Sequence, residues 1–271
     1  MNHARRHALI FPREHGAWGI LLVPLVSGAA AGLLAGGRFL PLVLLTVAAL
    51  ALFWMRTPVE SWWGTTPMRA QAGDEMRLVR RTVLLLAGVA VAALTGIFWG
   101  GHNPDLFWIG AAAALAFIMQ ALLRKRARVA AQMVGAAGLT ATAPAAYYLA
   151  TGHLNTIAWS LWVANLLFAA NQIQFVQLRI HAGRPRTKLE KLSVGRAFFA
   201  GQLVLLVIVA FASSAGMFSW YAALAFLPAL FRGFAWFASK PHPLAVRRLG
   251  WTELSLAAAF GVLLVSGLYL G

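Results

Sequence analysis

Long apolar runs, each broken by a short polar or turn-forming stretch, set the rhythm of this chain. They cover roughly Ala17–Ala35, Phe39–Met55, Thr82–Trp99, Leu106–Leu123, Val129–Ala150, Leu154–Leu178, Ala197–Ser214, Met217–Phe237 and Trp251–Leu270. Each run approaches the ~20 residues with which an α-helix crosses the hydrocarbon of a bilayer. The breaks carry turn chemistry: Gly36-Gly37, Gly100-Gly101 with Pro104, Thr151-Gly152, Ser213-Ser214, and Pro241 with Pro243. The fifth run holds Gly135, Gly138, Pro144 and several alanines, small residues that let helices pack closely in a membrane. The pattern predicts an all-α, polytopic integral membrane protein with about nine transmembrane helices. No connection is long enough for a separate soluble domain, so residues 1–271 read as a single transmembrane helical domain.

Composition agrees. Hydrophobic residues make up 61% of the 271, and only 11% are charged, whereas roughly a quarter of a soluble domain is charged. Too little polar surface remains to cover a water-soluble core of this size. With no cysteine, disulfides, thiolate metal sites and cysteine nucleophiles are excluded. A net charge of +16 on a soluble protein would suggest nucleic acid. Here the basic residues cluster between apolar runs and no nucleic-acid-reading motif accompanies them, so anionic lipid headgroups are the expected partner and nucleic acid is not.

The same charges orient the chain. Basic residues fall in the N-terminal segment (Arg5 to Arg13) and in the second-to-third connection (Arg56 to Arg81). They recur in the fourth-to-fifth (Arg124 to Arg128), sixth-to-seventh (Arg179 to Arg196) and eighth-to-ninth (Lys240 to Arg248) connections. These hold 21 of the 23 Lys and Arg, leaving Arg38 on the opposite side and Arg232 inside the eighth run. The positive-inside rule then predicts a plasma (inner) membrane protein with a cytoplasmic N-terminus and, after nine spans, an external C-terminus. It also predicts that the first run is retained and not cleaved as a signal peptide.

Polar side chains at the cytoplasmic ends of the spans are the candidate binding residues, because charge and amide groups are costly in hydrocarbon. Arg13, Glu14 and His15 stand in direct succession at the entry to the first run, where they either anchor the interface with Trp18 or line a site. Arg56 and Glu60, spaced i, i+4, form either a plain helical ion pair or part of a site. Asn171, Gln174 and Gln177 recur at i, i+3 and i+6 ahead of Arg179, a spacing that either joins helices or lines a polar cavity. Arg232, about two turns from Lys240, either snorkels to the interface or pairs inside the bundle. Seven acidic residues are scattered, with no HExxH, EF-hand or P-loop pattern. His3 and His7 have no third ligand nearby and read as solvated residues. No metal and no cofactor is expected.

The segment FPREHGAWGILLVPLVSG resembles the signature of the YwiC-like membrane proteins. More widely, the chain resembles the UbiA-type intramembrane prenyltransferases, which the resemblance implies to be nine-helix bundles with N-in, C-out topology and a cytoplasm-facing cavity. Their acidic motifs end the second and sixth helices, where Arg56–Glu60 and Asn171–Arg179 stand here. The stretch AANQIQFVQLRIHAGRPRTKLEKLSVGRA is similar in layout to the second of those motifs, and Asn171, Gly183, Arg186 and Thr187 carry over onto it. The chemistry departs: Gln172, Phe175 and Arg179 stand where carboxylates would hold magnesium, and the second run offers only Glu60. A hard divalent cation needs carboxylate oxygens, whereas a basic cavity can grip an anion directly through arginine.

Two functions from different classes follow. One is a UbiA-like protein binding an isoprenoid, quinone or other anionic lipid-like ligand, as a divergent transferase or without catalysis. Arg13, Arg56, Arg179 and Arg232 would neutralise that ligand, and the three amides would orient it. The other is a non-catalytic transporter or accessory protein binding a small anion or a partner subunit.

Overall fold

The computed structural model describes residues 3–12, 15–64, 69–71, 73–101, 104–124, 126–182, 187–240 and 244–270. Among them the elements are helical: α1 (His3–Ile10), α2 (His15–Leu34), α3 (Leu40–Trp63), α4 (Gly73–Trp99), α5 (Pro104–Leu123), α6 (Arg128–Thr140) and α7 (Thr142–Thr151). The chain continues as α8 (Thr156–His181), α9 (Lys188–Ser214), α10 (Trp220–Ala223), a 3-10 turn (Leu224–Phe226), α11 (Leu227–Ala238) and α12 (Val246–Leu270). The protein is an all-α polytopic membrane protein. Seven of its helical stretches among the described residues are long and apolar enough to cross a bilayer.

Each predicted run lies on a helix, or on consecutive helices for the fifth and eighth, with ends displaced by a few residues. Several helices outrun their apolar stretch. α4 starts at Gly73, nine residues before the apolar run, and α9 starts at Lys188. A capping box explains the second start: Thr187 Oγ1 accepts from the Glu190 amide at 3.2 Å, and Glu190 accepts from the Thr187 amide at 3.3 Å. Helix α8 falls outside the seven because it carries Asn165, Asn171, Gln172, Gln174 and Gln177. It affords them because protein surrounds it. Asn165 donates to Ser27 of α2 at 3.1 Å, Trp162 to the Ala137 carbonyl of α6 at 3.3 Å, and Phe168 stacks on Phe260 of α12 at 4.2 Å.

The fifth run breaks at Ala141, between α6 and α7. Pro144 has no N–H to offer the preceding turn and leaves the Thr140 carbonyl without its helical donor. Around the break the threonine hydroxyls bond back along the chain, Thr140 to the Ala136 carbonyl at 2.9 Å and Thr142 to the Leu139 carbonyl at 2.8 Å. Helix α7 also lies backbone to backbone with α2. A Cβ on Gly28 would sit 2.1 Å from the Ala143 carbonyl oxygen, and one on Gly32 would sit 2.5 Å from the Ala150 methyl. This is a small-xxx-small contact, in which van der Waals packing replaces the hydrophobic drive that lipid does not provide.

The chain divides into two compact units: Met1–His15 with Gly37–Pro104, and Gly16–Gly36 with Asp105–Gly271. In the first, α1 is an element the sequence reading did not anticipate. Its last carbonyls find donors on α3, with Trp54 Nε1 reaching Ile10 at 2.7 Å and Ser61 Oγ reaching Leu9 at 3.1 Å. Arg5 bonds Glu75 of α4 at 2.5 Å, and that carboxylate holds the guanidinium above its ordinary value. The expected solvated His7 is exposed and stacks on Phe11 at 4.5 Å. The second unit contains α2 and α5 to α12, with α8 at its centre.

Candidate functional site: a buried ionic centre on α8, α11 and α12

Pro228 opens α11, and five residues from the start of that helix Arg232 turns inward. Its guanidinium lies over the Phe175 ring of α8, 4.1 Å from the centroid. Nη2 donates to Asn171 Oδ1 at 2.7 Å, and Nη1 donates to Glu253 Oε2 of α12. The arginine and glutamate side chains are only 10% and 7% exposed. Gln172, beside Asn171, donates to the Glu253 backbone carbonyl at 2.9 Å and so ties α8 to α12 at the same level. At 1.5 Å rise per residue, Arg232 lies roughly 9 Å from the C-terminal end of α11, Glu253 roughly 10 Å from the N-terminal end of α12 and Asn171 roughly 15 Å from the C-terminal end of α8. An ion pair at that depth is expensive, and each charge persists there because the other compensates it.

Satisfaction is incomplete. Among the described residues, Arg232 Nε, Glu253 Oε1, Trp236 Nε1 and both side-chain polar atoms of Gln202 are buried without a hydrogen-bond partner. Trp236 stands one turn after Arg232 on α11. Gln202 of α9 is wholly buried, and its amide fills the space a Cβ on Gly233 would occupy, the carbon lying 2.7 Å from that position. The glycine following Arg232 therefore seats a second polar group against the same turn. Three N–H donors (Arg232 Nε, Trp236 Nε1 and Gln202 Nε2) crowd one turn of α11. A buried orphan donor costs about 1–3 kcal/mol.

Lys191 holds the far end of α11. It is 1% exposed, and its ammonium donates to the Trp236 carbonyl at 2.7 Å, the Ser239 carbonyl at 2.8 Å and the Ser239 hydroxyl at 3.2 Å. That places a cation on the negative pole of the helix.

The family model for YwiC-like proteins matches residues 11–150, just over half of the chain. The chain belongs to the YwiC-like family. No curated protein and no solved structure matches it. The matched part of this YwiC-like chain runs from the end of α1 to α7, so Asn171, Arg232 and Glu253 lie beyond it.

Of the residues picked from the sequence of this YwiC-like protein, Asn171 and Arg232 come together. Successive i+3 steps rotate by about 60° backward around a helix, and that drift separates the other two amides. Gln174 is exposed and lies against Gly201 of α9, while Gln177 donates to Gln132 of α6 at 2.9 Å. Arg179 is half-buried in the last turn of α8. Arg56 and Glu60 belong to the first unit, paired at 3.0 Å along α3. Arg13 and Glu14 lie outside the described residues, as do Gly183 and Arg186, and His15 is described only in its backbone.

Glu253, Gln172, Gln202, Trp236 and Lys191 escaped the sequence reading as site residues. Glu253 had a usable signal, a lone carboxylate inside the ninth apolar run. On α8, Asn171 and Gln172 are committed to Arg232 and to the Glu253 carbonyl. No group of three or more His, Cys, Asp or Glu that could hold a metal occurs among the described residues. That donor set does not fit a divalent cation.

Proposed function

We propose that this YwiC-like protein binds the anionic head of a lipid-like molecule, an isoprenoid or a related amphiphile, at the α11 donor cluster. One observation carries the reading: two buried N–H donors without acceptors, Trp236 Nε1 and Gln202 Nε2, pack on the same turn as a buried guanidinium whose own Nε is also unpartnered. Donors aimed at nothing suit an anion's oxygens, and Phe175, Phe198 and Trp236 form an apolar cluster against which a tail or ring would lie. Arg179 and Gln174, at the inner end of α8, are proposed as the entry. Gln177 remains a proposed contributor from the same unit, whereas Arg13, Glu14, His15, Arg56 and Glu60 belong to the other unit and are not assigned to this cluster, Arg56 being engaged by Glu60.

The architecture proposed with it is the nine-pass, N-in, C-out bundle of the UbiA type. Counting α6 with α7 as one pass and α8 as another brings the seven to nine. The lack of carboxylates on α8 favours binding over magnesium-dependent prenyl transfer. The test is mass spectrometry of lipids co-purified in mild detergent. An acidic amphiphile should travel with the wild type and be lost from Arg232→Gln. Equal lipid content in both sinks the proposal.

A second reading, transport of a small anion, is favoured by the two interrupted passes, α6–α7 and α10–α11. Broken helices commonly border substrate sites in transporters.

A further inference from the structure

We infer that an anion entering the α11 donor cluster brings one proton with it, and that the proton settles on Glu253. The inference rests on the anion-site reading above and adds to it a coupling.

The argument is one of charge balance. Arg232 and Glu253 are almost wholly buried and together neutral. A monoanion placed on Arg232 Nε, Trp236 Nε1 and Gln202 Nε2 would leave the centre with a net charge of minus one. An uncompensated buried ion costs several kcal/mol even after relaxation. Glu253 is the carboxylate in contact with the guanidinium. Its Oε1 has no partner among the described residues, so a proton can add there without displacing a hydrogen bond. The arginine cation, the anion and the neutral acid then sum to zero, as before.

Other charged groups on the packed helices do not take this role. Lys191 of α9 is committed to the carbonyls ending α11. Arg179 and His181 stand in the last turn of α8, Arg247 and Arg248 in the first turn of α12, and Glu190 and Arg196 early in α9. Arg179, His181, Glu190, Arg247 and Arg248 lie at the helix ends and Arg196 about two turns into α9; Arg179 is half-buried and the other five are exposed. From α2, Gly19 meets Leu254, next to Glu253, and offers no charge.

The test uses a probe that stays ionised at every pH, so any proton taken up comes to the protein. Purified protein in dodecyl maltoside is titrated with decanesulfonate, and separately with methanesulfonate, by calorimetry in phosphate and in Tris. The difference in heat between buffers counts protons. Wild type should take up about one proton per sulfonate. Glu253→Gln should bind with no uptake and more tightly, because its side chain is already neutral. Uptake with decanesulfonate supports the coupling for a lipid head, and uptake with methanesulfonate supports it for a free anion. Binding by wild type without uptake, or uptake that persists in Glu253→Gln, overturns the coupling and leaves the anion site standing. No binding of either sulfonate removes the anion-site reading and the coupling with it. The wild-type count needs no variant, so it decides even if Glu253→Gln does not fold.

Discussion

Lys191, in the first turn of α9, donates its ammonium to the Trp236 carbonyl at 2.7 Å and so closes the last turn of α11 from outside. The terminal carbonyls of a helix have no partner within it. Here they receive a buried cation and the Ser239 hydroxyl, with the Trp236 ring 4.9 Å from the ammonium. The turn so fixed is the one that carries Trp236, and Arg232 stands one turn before it.

Removing that cap should therefore loosen the site as well as the fold. Lys191→Met keeps the stem and deletes the donors, leaving buried acceptors unpaired at about 1–3 kcal/mol. We expect a lower unfolding midpoint in detergent, together with faster amide exchange over residues 235–239. An unchanged midpoint would show that water replaces the ammonium without cost.

The ion pair makes a sharper prediction. Arg232→Met or Glu253→Leu alone strands a buried charge and should cost about 3–5 kcal/mol. The double substitution removes both charges and should cost clearly less than the sum, a coupling that a double-mutant cycle in chemical denaturant reads directly. Additive losses would mean that each side chain matters for packing and not for its partner.

Close packing of α2 on α7 predicts that Gly28 tolerates no side chain. The Ala143 carbonyl in its way is backbone and cannot swing aside. Gly28→Ala should destabilise by about 1–3 kcal/mol or more, and Gly28→Leu should fail to accumulate. Gly88, with open space around its Cβ position, is the control, and Gly88→Ala should be neutral or slightly stabilising.

Orientation is open to direct labelling because the chain has no cysteine. Single cysteines at the exposed positions Arg38 and His153 should react with an impermeant thiol reagent in intact cells. Cysteines at the exposed positions Arg80 and Arg196 should react only after lysis. The reverse pattern would invert the proposed topology.

The helices could be read from the sequence because hydrocarbon imposes length and apolarity on each segment separately, and the nine runs satisfy both locally. Arg56 with Glu60 was equally legible, since four residues along one helix fix who meets whom. Arg232 and Asn171 could be flagged singly by their cost in a membrane, but not as partners. Their meeting depends on where α11 packs against α8, 61 residues apart in sequence. Glu253 was passed over although a lone carboxylate in an apolar run carries the same cost, because no second charged or amide residue in that run marked a cluster. Lys191 sat among six basic residues of a connection and counted only toward the orientation of the chain, although the fold buries it completely. Helix α1 was missed because its burial comes from α3 and α4, and eight residues carry little periodic signal of their own.

The partnership of α2 with α7 also sets a timetable for synthesis. Helix α2 enters the membrane first among the long helices, yet Ala143 and Asn165, which meet Gly28 and Ser27, emerge more than a hundred residues later. Through that interval its glycine face waits for a partner not yet made. The unit of α1, α3 and α4 draws only on residues up to 104 and can close meanwhile. A chain interrupted after α4 would thus carry one finished unit and one orphaned helix. The orphan presents a glycine-lined surface to whatever membrane chaperone or neighbouring helix reaches it before α7 does.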